Sequence, residues 1–134
     1  MSTQNVILNQ LRQCIRSDTQ YYTPLFKAIK YTEGVKLMSE ICQAGWLLTD
    51  VLANCTLLSK KEDFLCINVW HDEKTGDCSI DFTDGNYNVL KSVEYFFTDF
   101  PLFNTVDTTC EESKNVPALK MFCTSNILFL PSEY

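Results

Sequence analysis

Residues 64–84 read FLCINVWHDEKTGDCSIDFTD, and their apolar side chains recur at every second position on either side of a polar break. A period of two marks a half-buried strand. FLCINVWH (64–71) and DCSIDFTD (77–84) therefore predict an antiparallel pair, with Asp72 to Gly76 as the hairpin loop. On the second strand Cys78, Ile80 and Phe82 point one way and Asp77, Ser79 and Asp81 the other, so only one side of the sheet can be buried. The turn signal DGNYN (84–88) leads into a third strand near 88–96. ALKMFCT, the pair Ser125-Asn126 and ILFLP predict a closing hairpin, and residues 105–116 read as an irregular excursion before it.

Upstream of Phe64 the period is helical. Ile7, Leu8, Leu11, Cys14 and Ile15 predict an amphipathic helix over 3–16, peripheral to the rest. SDTQYYTPLF (17–26) reads as a linker, with Pro24 barring a helix and Tyr21, Tyr22, Leu25 and Phe26 available to pack it down. Thr32 is placed to cap a helix carrying Val35, Leu37, Met38, Ile41 and Cys42, with a stop near Gly45. In WLLTDVLANCTLL (46–58), Leu47, Val51, Asn54, Cys55 and Leu58 share one helical face. Helices followed by strands predict one α+β domain over 1–134: two or three N-terminal helices on one face of a four- to five-stranded antiparallel sheet. Pro131 cannot donate to a ladder, so it ends the last strand and lets Ser132, Glu133 and Tyr134 fold back, the phenol ring serving as anchor.

The chain has 134 residues, 46% of them hydrophobic, enough for a single core. It shows neither a run of about 20 apolar residues nor a greasy N-terminal segment, so the expectation is a cytoplasmic protein without a membrane span. Seven cysteines, an odd number among apolar neighbours, predict reduced thiols that behave as small hydrophobes. The formal charge of −6 is uneven. Residues 1–61 hold seven Lys/Arg against four Asp/Glu, residues 62–134 four against thirteen. With no concentrated basic face, direct nucleic-acid binding is disfavoured.

Candidate chemistry is sparse. His71 is the single histidine and ends a strand beside Asp72 and Glu73, where a solvated imidazole is expected. No CxxC pair, calcium loop or glycine-rich phosphate motif occurs, so no metal or cofactor is expected.

Four stretches, YTEGVKLMSE (31–40), GWLLTDVLAN (45–54), FFTDFP (96–101) and LPSEY (130–134), carry a resemblance. Across roughly residues 22–134 the chain resembles a family of small bacterial, plasmid and phage proteins sharing a Y-T-[DE]-G-V-K helix opening, a W-L-x-D-like segment, a T-D-F-P corner and an L-P-S-E-Y end. The resemblance implies an α+β domain and a mobile-element setting, and it implies no reaction. It singles out Trp46, Asp50, Asp99, Pro101 and Tyr134. Trp46 is expected to fill core, and Asp50 to bridge or bond the corner at Thr98 to Pro101. A carboxylate pair of Asp50 with Glu33 or Asp99 is the acid–base alternative.

The stronger functional lead is the wet face of the sheet. Asp77 and Asp81, with Trp70, Asp72, Glu73 and Asp84 nearby, predict aromatics ringed by carboxylates, the composition that steers toward a basic protein partner. The expectation is a non-enzymatic binding or inhibitor protein, monomeric or a small homo-oligomer. By analogy it would be anti-defence in the manner of anti-CRISPR proteins, filling a basic groove on a host CRISPR or other nucleic-acid-handling complex. The alternatives are a small enzyme using Asp50, Asp99 and His71 in an inter-layer cleft, and a homo-oligomeric structural factor joined through a strand edge.

Overall fold

The computed structural model describes residues 3–14, 20–24, 26–86, 88–96, 98–107 and 114–133. In chain order the elements are α1 (Thr3–Arg12), β1 (Gln20–Thr23), β2 (Phe26–Thr32), α2 (Glu33–Ile41), α3 (Gly45–Leu58), β3 (Phe64–His71), β4 (Cys78–Thr83), β5 (Val89–Tyr95), β6 (Thr105–Asp107), β7 (Lys114–Val116), β8 (Leu119–Thr124) and β9 (Ile127–Phe129). A 3-10 turn, Pro131–Glu133, follows.

The β3–β4 hairpin forms as its alternation predicts, with Val69 opposite Ile80 and Trp70 opposite Ser79. Leu65, Ile67, Val69, Ile80 and Phe82 face the helices and are wholly buried, while Cys66, Asn68, Trp70, Ser79 and Asp81 lie half-exposed on the other side. Each such buried side chain contributes about 2 kcal/mol by leaving water. The closing hairpin also forms: Ser125 (φ 53) and Asn126 (φ 62) both sit in the left-handed region, as a two-residue reversal between twisted strands requires. Residues 105–116, expected to be irregular, contain the small antiparallel pair β6–β7.

The sheet is larger than expected and not purely antiparallel. Seven strands run in the order β1-β2-β9-β8-β3-β4-β5, with β2 and β9 parallel. The segment expected to be a linker is a hairpin. Pro24, which lacks an N–H, sits at its tip, and Tyr21 stacks on Tyr31 across it at 5.9 Å. α1 closes at Arg12, earlier than expected, and buries Ile7 and Leu11. Thr32 caps α2 as expected, its hydroxyl accepting from Val35 N–H at 3.5 Å. The stop near Gly45 falls earlier: α2 ends at Ile41, Gln43 takes the left-handed conformation (φ 50), and Gly45 opens α3.

Because β2 and β9 are parallel neighbours, both leave the sheet at the same end. β2 continues into α2, and β9 into the 3-10 turn. Glu133, 3% exposed, turns its carboxylate into that junction. Oε1 accepts from the Thr32 hydroxyl at 2.6 Å and from Leu130 N–H at 3.0 Å, and Oε2 from Gly34 N–H at 3.1 Å. Gly34 N–H is one of the donors that a helix N-terminus leaves without an internal partner, and the helix dipole favours an anion there. A Cβ at Gly34 would stand 2.4 Å from Glu133 Oε1, so a side chain there displaces the carboxylate from its donors. The fold-back expected of the terminal residues is therefore anchored by Glu133; Tyr134 lies outside the described residues.

The six described cysteines are free thiols. Burial pushes the Cys42 thiol from 9.0 up to about 12 and the Cys78 thiol up to about 11, the latter against an opposing hydrogen bond from Thr98. Cys55, which hydrogen-bonds to Cys123 inside the core, is also pushed well up.

Two measurements check these points. Gly34→Ala and Glu133→Ala are each expected to lower unfolding free energy by about 2–3 kcal/mol, the scale of hydrogen bonds to a charged group. In denaturant melts the double variant is expected to be no worse than the more damaging single, because either change breaks the same contact. The buried thiols have folded pKa values above the unfolded one. Their contribution to stability is complete below about pH 9 and is lost as pH rises toward 11–12. A circular-dichroism melt series is expected to show that alkaline loss, and Cys42→Ala with Cys78→Ala to flatten its slope.

Candidate functional site

After β5 the chain turns across the end of the sheet and is pinned there by His71. Asn104 N–H donates to His71 O at 2.9 Å, and Asn104 Oδ1 accepts from His71 N–H at 2.8 Å. The His71 ring stacks on Phe103, centroids 4.7 Å apart. Its Nδ1 lies 2.8 Å from Leu102 O, which can only accept, so Nδ1 carries a proton; Nε2 lies 3.2 Å from the Thr98 hydroxyl. The expected solvated imidazole is thus corrected. His71 is 1% exposed because the corner it pins folds over it.

Trp46 of α3 meets the same corner from the other side. Its ring packs edge-on against Tyr95 at 5.0 Å and against Phe100 at 6.3 Å. Trp46 is half-buried, and Phe100 takes the core position at 1% exposure. The Tyr95 hydroxyl donates a short hydrogen bond to Asp50 Oδ2. Burial, then that bond and the Asp50 charge, push the Tyr95 phenol well above its ordinary value, so it remains a donor. Asp50 therefore holds the last residue of β5, and Thr98 and Phe100 of the corner are held by His71 and Trp46.

Two adjoining clefts open on this end of the sheet. The larger, about 740 Å³, has Trp46 and Tyr95 in its wall and Asp50, Glu94 and Asp99 around it. The smaller, about 280 Å³, lies by Trp70, with Asp72, Asp77 and Glu94 around it. They share Glu94, Tyr95 and Phe96, so they form one continuous surface. Its lining holds carboxylates of Asp50, Asp72, Asp77, Glu94 and Asp99 and, among the described residues, no lysine or arginine. Phe96 stands in the middle, 69% exposed.

Of the residues read from sequence as partner-binding, Trp70, Asp72 and Asp77 come together here. Glu73 lies exposed in the neighbouring loop. Asp81 faces the open side of the sheet, where it accepts from the Ser92 hydroxyl at 2.7 Å. Asp84 lies at the far end, stapling the β4–β5 turn. The Asn88 side chain, then the Asn88 and Asn86 amides, hydrogen-bond its carboxylate and hold it below the usual carboxylate range. Of the motif residues, Trp46, Asp50 and Asp99 line the larger cleft and Pro101 is half-buried. The three groups of the enzymatic alternative do not share a cleft: Asp50 and Asp99 do, and His71 lies buried behind Thr98. Glu94 and Phe96 are not among the residues that the sequence singles out; the signal available there is an aromatic between a strand and a proline corner. Among the described residues no group of three or more His, Cys, Asp or Glu is arranged to hold a metal ion. No described helix is long and apolar enough to cross a membrane.

Comparison with curated proteins and with solved structures finds no match to this chain. A family model matches residues 5–134, extending the resemblance seen in the motifs back into α1. The chain therefore belongs to the family of unknown function DUF6876.

Proposed function

We propose that this chain is a non-enzymatic binding protein that docks the acidic end of its sheet onto a basic protein surface. The observation that carries the reading is the convergence of carboxylates from five separate positions, with no lysine or arginine among the described lining residues, around a protruding phenylalanine. Carboxylates spread over one surface steer a cationic partner over about 8–10 Å at physiological salt, and a central aromatic supplies the desolvated anchor. Support over an enzymatic reading comes from the engagement of the candidate groups. Asp50 is committed to Tyr95, and His71 is buried with both ring nitrogens occupied. A partner whose groove is built to hold nucleic acid has the complementary charge, and the anti-defence inhibitor of a mobile element is the setting that joins this surface to the bacterial, plasmid and phage motif pattern.

The test is affinity capture from bacterial extract with the wild-type chain and with Glu94→Lys/Phe96→Ser, both first shown to melt alike. The captured protein is expected to be basic, to be released by added duplex DNA, and to bind at least tenfold more weakly as salt rises from about 0.05 to 0.5 M. The double variant is expected not to retain it. Capture that is indifferent to salt, to DNA and to both substitutions would overturn the reading.

A further inference from the structure

The seven-stranded sheet has two edges, and they are treated differently. β1 is four residues long and carries an irregularity between Tyr21 and Thr23, two devices that discourage a further strand. β5 runs for seven residues, about 23 Å; its own irregularity is confined to the Val89 end, where Thr83 pairs with Val89 and Phe82 with Lys91, so Lys91 to Tyr95 is regular, and among the described residues no strand pairs with its outer side. Val89, Lys91, Ser92 and Glu94 along it are exposed. Its outward backbone N–H and C=O groups form a template for another chain. This edge also runs straight into the acidic surface, since Glu94 and Tyr95 are its last two residues and Phe96 follows.

We infer that the docking partner engages through an extended basic segment that adds as an eighth strand along β5, its end reaching the acidic clefts. This rests on the docking reading above and names the shape of the ligand. The two faces of β5 set its pattern. On the open face stand Ser92 and Glu94, with Asp81 directly across from Ser92 on β4. On the helix side stand half-buried Val93 and Tyr95, the latter beside Trp46. A strand laid about 4.8 Å away turns alternate side chains to the two faces. The pattern that fits therefore alternates lysine or arginine, opposite Glu94 and near Asp81, with apolar residues that extend the Val93–Tyr95 ledge. Lys91 stands on the helix side farther from the clefts, which directs the basic residues toward the Glu94 end. Main-chain pairing supplies affinity and the alternation supplies selectivity, the general economy of strand addition.

The test uses the full ¹⁵N-labelled chain and three capped peptides of about eight residues, a length matched to the strand. One alternates lysine and valine, one has the same sequence with alternate backbone amides N-methylated, and one has equal composition in two blocks. The alternating peptide is expected to bind at least tenfold more tightly than the other two and to slow amide exchange along Val89–Tyr95 by at least tenfold. In Glu94→Lys the preference is expected to pass to a peptide alternating glutamate and valine. Equal binding of all three peptides, with β5 exchange unchanged, would overturn strand addition while leaving acidic docking standing. Absence of binding by any peptide would overturn this inference, and the capture experiment would decide the docking reading independently.

Discussion

The buried carboxylate of Glu133 is the constraint from which much of the architecture follows. It joins positions separated by about a hundred residues, accepting from Thr32, Gly34 and Leu130 with almost no exposure to solvent. Such a charge is tolerable in an apolar interior only when its oxygens are supplied with donors. The parallel seam between β2 and β9 creates that supply by sending both strands out of the sheet at one end. The glycine at position 34 completes it, because any side chain there would occupy the space the carboxylate needs. The YTEG stretch and the LPSE stretch are two halves of a single interaction.

A second interlock works at the opposite end of the strand order. Trp46, Asp50, Tyr95 and Phe100 bind the GWLLTD helix to the TDFP corner, and His71 pins that corner from beneath. His71 is removed from solvent, and Asp50, though it lines the cleft, is engaged by the Tyr95 hydroxyl. The same tight corner leaves Phe96 projecting and turns Glu94, Asp99, Asp72 and Asp77 to the water. Structural closure and the acidic surface are thus consequences of one turn of chain.

Much of this was readable beforehand where the signal is local. The alternation over 64–84 specifies β3, β4 and the buried side of each, because side-chain direction in a strand reverses at every residue. Thr32 as a cap and Ser125-Asn126 as a reversal are equally local, since each depends on one residue's own hydrogen bonding or dihedral freedom. The first strands were not legible: the four residues of β1 before Pro24 make too short an alternation to separate from a linker, and the burial of β2 does not alternate. Gln43 closing α2 in the left-handed region gave no compositional warning, as glycine would have.

By itself, then, the amino-acid order determined which segments are helix or strand over most of the chain, the one-sided burial of the sheet, and the accumulation of acid in the second half. Those properties arise from periodicity and composition, which act between near neighbours. The tertiary structure alone decided that β2 and β9 run parallel, that Glu133 caps α2, that His71 is buried, and that five acids from four stretches of chain meet around Phe96. Each of these joins residues far apart in the chain, and closing such loops is governed by the whole packed core, for which no short stretch carries a signature.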